Sequence, residues 1–95
     1  MDIKEAFGMA LKKARNSKKL TQEEFSNISS RTYISSLERG KKSITIEKLE
    51  DISTVLNIHP LTLMFLTYGK RNEDNNFTEL FQLINNELIE IDVNT

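Results

Sequence analysis

The 95-residue chain has no cysteine, no tryptophan and a single histidine, His59. The missing thiols exclude a disulfide scaffold, thiol catalysis and a thiolate metal site, and they fit a reducing cytoplasm. One histidine is too few for a histidine-based metal or catalytic cluster. The sequence also lacks a nucleophile–base pair and a phosphate-cradling glycine loop. We therefore expect no enzymatic activity, no catalytic residue, no metal site and no cofactor.

Long apolar runs are also missing. The longest, around residues 61–66, is far shorter than the ~20 residues that a membrane span needs. The first residues lack the basic and then apolar pattern of a secretory signal. We expect a cytoplasmic protein that does not contact membranes. Because 38% of the residues are apolar and 28% are charged, we expect one globular fold with a modest core.

The net charge of −1 conceals two oppositely charged halves. Residues 1–48 carry eleven Lys and Arg against six Asp and Glu, a net charge of +5. Residues 49–95 carry two against eight, a net charge of −6. A basic half suits a polyanion such as nucleic acid, which repels an acidic half. The alternative is a solvated charged surface without a partner.

Six short helices are predicted, and no segment has the alternation typical of strands. The six helices are predicted to begin at Asp2, Thr21, Ser30, Thr45, Pro60 and Asn76. Gly40 closes the third helix, over residues 31–38, in a left-handed conformation. The polar run GKRNEDNN predicts a linker. We therefore expect an N-terminal domain over residues 1–68, a linker over 69–76, and a C-terminal amphipathic helix and tail over 77–95.

Residues 21–40, TQEEFSNISSRTYISSLERG, predict a helix-turn-helix, because two short helices flank a tight break. This segment resembles the Cro and phage-repressor helix-turn-helix family in its Thr-Gln-Glu-Glu opening, its Ser-Arg-Thr-Tyr-Ile-Ser helix and its Glu-Arg-Gly close. The resemblance covers about residues 3–66. Residues 31–39 (RTYISSLER) are also similar to the controller proteins of restriction–modification systems. The resemblance implies an all-α, five-helix DNA-binding domain, which the C-terminal amphipathic helix follows here.

The turn between the second and third helices departs from this family. The family has about two more residues there, including a glycine, whereas residues 25–30 (FSNISS) contain no glycine. We expect either a tighter turn or a shortened second helix. The third helix could then lie at an altered angle on DNA.

Four residues of the third helix are predicted to contact bases: Arg31, Thr32, Ser35 and Ser36. Ile34 and Leu37 face the core at helical spacing, which leaves those four on the outer side. An arginine fork can bind guanine O6 and N7 together, and a threonine methyl suits thymine. The short serines permit close approach to the groove. The resemblance implies base contacts for the arginine, the threonine and Ser36.

A second set is predicted to contact the DNA backbone: Gln22, Ser30, Tyr33, Arg39, Lys41 and Lys42. Gln22 begins the second helix, where free N–H groups and its amide can reach a phosphate. The resemblance implies backbone contacts for Gln22 and Tyr33. The cations after the third helix would position the protein without specifying sequence, and plain loop charges are the alternative. Glu38 is expected to pair with a nearby cation, because a phosphate would repel it.

The fifth predicted helix is apolar nearly all round, so we expect it to be covered on more than one side. A second subunit and the C-terminal helix are the two available covers. We favour a dimer, because symmetric pairing commonly uses such a patch. In the alternative, the C-terminal helix folds back and completes a monomeric core. The predicted interface residues are Leu61, Phe65, Leu66, Phe81 and Ile84.

The leading hypothesis is a dimeric transcriptional regulator that binds a palindromic operator in double-stranded DNA, with helix 31–38 in the major groove. The alternative is an antitoxin that autoregulates transcription and binds a toxin, as a protein partner, through its C-terminal half. A third hypothesis is a protein-interaction module that no longer binds DNA.

Overall fold

The computed structural model describes residues 1–71 and 77–93. Within these ranges it contains helices and no strand, which confirms the all-α prediction. The elements are α1 (Ile3–Ser17), a 3₁₀ turn (Gln22–Phe25), α2 (Arg31–Glu38), α3 (Ile46–Leu56), α4 (Pro60–Arg71) and α5 (Phe77–Val93). None of the described helices is long and apolar enough to span a membrane.

Side-chain caps determine where three of the helices begin. Asp2, Ser30 and Thr45 each accept a 3.1 Å hydrogen bond from a backbone N–H two or three residues further along the chain. A cap of this kind stabilises a helix by roughly 1 kcal/mol, since it satisfies an otherwise unpaired donor. Gly40 follows α2 with a φ of +71°, the left-handed conformation that the sequence predicts there.

Two element boundaries differ from the prediction. Residues 22–25 form one 3₁₀ turn instead of an α-helix, and the Thr21 side chain makes no capping hydrogen bond. Of the two expectations for the short segment before α2, a tighter turn or a shortened second helix, the structure has the shortened helix. At the other boundary, α4 continues to Arg71, so residues 69–71 are helical although a linker was predicted. The remaining predicted linker with its Asn76 cap, and residues 94–95, lie outside the described residues.

Helices α1, α2, α3 and α4 and the 3₁₀ turn share one hydrophobic core. Within it, α1 packs along α4 and against α2. Gly8 lets α1 pack closely on α2, because a Cβ there would lie 2.5 Å from the Leu37 carbonyl oxygen. Any larger residue at this position would push α2 away from α1. The fully buried core side chains include Leu11, Phe25, Ile34, Leu37, Ile52, Leu56 and Leu63.

The C-terminal helix α5 lies outside this core, and none of its described residues is buried. Aromatic rings join the start of α5 to α4. The Phe77 ring packs on Gly69, and the Phe65 ring lies 5.5 Å from the Phe77 ring and 5.9 Å from the Phe81 ring, centroid to centroid. Gly69 lies within α4, and because it has no side chain the Phe77 ring fits against it. In the described chain, α5 adds no buried residue to the core.

Candidate nucleic-acid interface

Helix α2 is anchored on its inner side and open at its beginning. Ile34 and Leu37 are fully buried, whereas Arg31 and Thr32 are exposed. The first turn therefore presents two predicted base-contacting side chains to solvent. An exposed helix of eight residues with a rigid inner face has the form that a major groove ~12 Å wide accepts.

The two predicted serine contacts differ from this pair. Ser35 is half-buried, and Ser36 is only 8% exposed. The prediction that Ser36 lies on the outer side of the helix is wrong. Ser36 belongs to the last turn, where the chain reverses at Gly40 and the Lys41 N–H donates to the Ser36 carbonyl oxygen at 2.9 Å.

Arg31 pairs with an acidic residue of the 3₁₀ turn. Its Nη1 donates to Glu23 Oε1 at 3.2 Å, and both side chains are about two-thirds exposed. An exposed ion pair contributes about 1 kcal/mol or less. A base edge can therefore replace Glu23 as the partner of the guanidinium at small cost.

A cationic patch surrounds Tyr33 beside the open end of α2. The Lys42 ammonium lies 5.6 Å and the Lys48 ammonium 5.9 Å from the centroid of the half-buried Tyr33 ring. Lys48 also donates to the Ile28 carbonyl oxygen. Sequence reasoning missed Lys48, because it lies in α3, six residues beyond the predicted loop cations. No local sequence signal connects it to Tyr33.

The other predicted backbone contacts lie at the two ends of α2. Arg39 and Lys41 are exposed just after the helix, where the Arg39 Nε donates to the Ser35 carbonyl oxygen at 3.3 Å. Ser30 is exposed at the beginning, and its hydroxyl caps α2. The structure thus places these predicted contacts in α2 or next to its two ends.

A nearly buried ion pair ties α1 to the end of α2. The Glu38 side chain is 4% exposed and the Arg15 side chain 12% exposed. Arg15 Nε lies 2.6 Å from Glu38 Oε2, and Arg15 Nη2 lies 3.0 Å from Glu38 Oε1. The hydrogen bond to Glu38 raises the pKa of the Arg15 guanidinium against the opposing effect of burial. The prediction that Glu38 pairs with a cation is confirmed.

Gln22 shares this carboxylate. Its Nε2 donates to Glu38 Oε1 at 3.1 Å, and the residue is half-buried. Arg15, Gln22 and Glu38 come from three different elements, and 16 and 23 residues separate Glu38 from its two donors. Sequence reasoning did not bring the three together, because they lie far apart in the sequence.

The five residues predicted at a dimer interface lie on α4 and α5. Leu61 is 70% exposed and Phe81 66% exposed, whereas Phe65 and Leu66 are half-buried. Leu61 and Phe65 are one helical turn apart on α4, and the Phe65 ring contacts the Phe81 ring. Ile84 follows Phe81 on the same side of α5. The aromatic contact joins the apolar side chains of the two helices within one chain.

Nothing in the described part of the chain resembles a metal site, since no three His, Asp or Glu side chains there lie close enough to hold an ion. The residues around α2 include exposed cations and hydrogen-bond donors that can bind an anionic polymer, beside Glu23 and Glu38, which are each paired with an arginine.

The comparisons with known proteins agree with this arrangement. The model of a family described as "Helix-turn-helix" matches residues 11–63. The control protein C.MunI from Mycoplasma sp is 47% identical over 60 residues, which cover 60% of this chain and 81% of the relative. The control protein C.SmaI from Serratia marcescens is 39% identical over 75 residues, which cover 77% of this chain and 88% of the relative.

Solved structures with the same fold include two regulators. The clp gene regulator ClgR from Corynebacterium glutamicum aligns with a TM-score of 0.73 and 26% identity, over 88% of this chain and 92% of its own. The restriction-modification controller protein C.AhdI from Aeromonas hydrophila aligns with a TM-score of 0.60 and 29% identity, over 63% of this chain and 94% of its own. The predicted resemblance to controller proteins is confirmed.

Proposed function

Since the chain belongs to the helix-turn-helix family of DNA-binding transcription regulators that includes the restriction–modification control proteins, we propose that it binds a palindromic operator as a homodimer. In this proposal, α2 of each subunit enters the major groove. The observation that carries it is the pair of exposed side chains, Arg31 and Thr32, on a helix whose opposite face is fully buried. A cytoplasmic location is part of the same proposal.

Base recognition in this proposal comes from the first turn of α2. Arg31 exchanges its exposed partner Glu23 for guanine O6 and N7, and Thr32 contacts a neighbouring base. Ser35 is half-buried, so it permits close approach and contributes less hydrogen bonding. Ser36 is left out of the proposed base contacts, because it is buried.

Backbone contacts in this proposal flank α2 on both sides. Before the helix, Gln22 and Ser30 offer an amide and a hydroxyl; beside and after it lie Tyr33, Arg39, Lys41 and Lys42. Such contacts fix the position and orientation of a protein on a duplex without reading its sequence. The missed residue Lys48 joins this set, because it shares the Tyr33 ring with Lys42.

Dimerisation in this proposal uses the apolar surface of α4 and α5, with Leu61, Phe65, Leu66, Phe81 and Ile84. We propose a DNA-binding unit over residues 1–68 and a dimerisation element over 77–95. The apolar positions 77, 81, 84, 88 and 91 of α5 alternate in steps of four and three residues, the spacing of a two-helix seam. The acidic half then lies at the subunit interface, away from phosphate.

The antitoxin alternative keeps one supporting observation. Apolar side chains along α5, from Phe81 to Val93, are exposed, so a different protein could cover them instead of a second copy. In that case the free chain would be monomeric, and a toxin would bind α5 while α2 still bound DNA. Hydrodynamic measurement of the isolated chain separates the two functions.

Selection of bound duplexes from a random DNA pool tests the leading proposal. We expect an enriched sequence with two-fold symmetry, whose half-sites lie about one helical turn, ~10 bp, apart. A matched selection with Arg31→Ala should lose the enrichment at one position of each half-site. An enriched site without symmetry would contradict the dimer, and no enrichment at all would contradict sequence-specific binding.

A further inference from the structure

We propose that Glu38 is a positioning residue for DNA binding, because it holds the Gln22 amide in the orientation that donates to a phosphate. Gln22 Nε2 donates to Glu38 Oε1 at 3.1 Å, and the carboxylate is almost completely buried. Gln22 is the first residue of the 3₁₀ turn, and its amide is one of the proposed contacts to the DNA backbone. The inference rests on that proposed contact.

The chemistry of a primary amide explains why its orientation needs a partner. The amide group has an acceptor oxygen on one side and a nitrogen with two N–H donors on the other. An ionised carboxylate only accepts hydrogen bonds, so Glu38 selects the orientation in which the nitrogen faces it. One N–H is then used inside the protein, and the second N–H remains for another acceptor. A phosphate oxygen is such an acceptor.

Arg15 makes this arrangement compatible with a polyanion. A lone carboxylate near the DNA backbone would repel it, but Arg15 contacts both Glu38 oxygens, at 2.6 and 3.0 Å. Arg15 is itself held by a 2.9 Å hydrogen bond from its Nη1 to the Leu20 carbonyl oxygen. The pair therefore carries no net charge, and its position is fixed by two elements. It can direct a donor toward phosphate without adding repulsion.

The surroundings of Gln22 put its amide on the same side as the base-reading arginine. One shallow, open pocket is lined by Arg15, Thr21, Gln22, Glu23 and Arg31. The backbone contact and the proposed guanine contact thus border one surface. Because Glu38 is the last residue of α2 and Gln22 the first of the 3₁₀ turn, their hydrogen bond also links both elements of the helix-turn-helix.

A double-mutant cycle measures this role directly. The variants are Glu38→Gln, Glu38→Asp, Gln22→Ala and the two corresponding double variants. The probes are the duplex recovered by selection and a random duplex of equal length. Glu38→Gln and Glu38→Asp should each weaken binding to both duplexes by about 5-fold, the loss expected for one hydrogen bond. In the Gln22→Ala background, neither substitution should weaken binding further.

Two readouts separate positioning from a structural role. Glu38→Asp keeps a negative charge for Arg15 while it withdraws the carboxylate from Gln22, so it remains testable if Glu38→Gln unfolds. The slope of log affinity against log salt should stay unchanged in Gln22→Ala and Glu38→Asp, because neither alters the number of cations on the phosphates. Glu38→Gln removes a negative charge, which by simple electrostatics would strengthen DNA binding; the inference predicts weaker binding.

The inference would be overturned if the Glu38 substitutions weakened DNA binding equally with Gln22 present and in the Gln22→Ala background. Glu38 would then only stabilise the fold. Full affinity in Gln22→Ala would also overturn it, because no contact would remain to be positioned. Arg31→Ala, measured beside these variants, reports on the proposed function separately. If it abolishes preference for the selected site while the Glu38 variants act independently of Gln22, the function stands and this inference fails.

Discussion

Helices α2 and α5 are both amphipathic, yet they stand in opposite relations to the rest of the chain. The inner face of α2 is fully buried against its own domain, whereas α5 buries none of its described residues. Exposed cations lie at both ends of α2, whereas α5 contains Glu and Asp but no Lys or Arg. In the proposed function, a polyanion completes α2 and another protein surface completes α5.

Arg15, the nearly buried cation, anchors the end of α2 to α1 through Glu38. Its removal should have the largest effect, a loss of folding stability. Arg15→Met leaves Glu38 buried without its ionic partner, which should lower the free energy of unfolding by about 3 kcal/mol or more. Thermal or urea unfolding followed by circular dichroism measures the loss. Arg39→Met is the matched control on the exposed end of α2, with an expected change within about 0.5 kcal/mol. Equal stability of the two variants would mean that the ion pair does not anchor α2.

A charge on the apolar side of α5 tests whether a second subunit packs against this helix. Phe81→Glu should convert a dimer to a monomer in sedimentation, because an unpaired charge is costly to bury. Operator affinity should fall by about 100-fold or more, since each half-site would then bind independently. Asn86→Glu, on the opposite side of the same helix, is the matched control and should remain dimeric. If Phe81→Glu remained dimeric with normal affinity, the interface would lie elsewhere.

Loss of the guanidinium tests the outer face of α2. Arg31→Ala should weaken binding to the selected duplex by about 1–3 kcal/mol and change binding to a random duplex little, because a bidentate base contact is removed. Fluorescence anisotropy with both duplexes measures the difference. Equal losses on the two duplexes would identify Arg31 as a phosphate contact instead.

The smallest expected effect concerns the cations beside α2. Lys41→Ala or Lys42→Ala should weaken binding to all duplexes similarly and reduce the salt slope by about one unit, since one phosphate contact is lost. Titrations at several salt concentrations give this slope. Lys70→Ala, in α4, serves as a control whose slope should not change. An unchanged slope for both loop lysines would remove them from the interface.

The helices of the N-terminal part could be predicted because their signals are local. Asp2, Ser30 and Thr45 cap three helices, and Gly40 closes one in a left-handed conformation. Each signal acts within a few residues of the chain. The apolar spacing of α2 likewise identifies Ile34 and Leu37 as core residues, and both are fully buried.

The errors arose where a distant residue decides the structure. A linker was predicted to begin at Gly69, but Gly69 is helical and the Phe77 ring packs on it. Ser36 projects outward from an isolated helix, yet it is only 8% exposed in the folded chain. The contacts of Glu38 with Arg15 and Gln22, and of Lys48 with Tyr33, join separate elements, so local patterns do not contain them.

The mass of the isolated chain in sedimentation equilibrium tests most directly whether the cover of α5 lies in a second copy. One chain has a mass of 11.0 kDa. We predict twice that mass at micromolar concentration without DNA, and a return to the single-chain mass in Phe81→Glu but not in Asn86→Glu. A single-chain mass for the unmodified protein, free and on its selected duplex, would contradict the dimer and leave a different protein as the cover of α5.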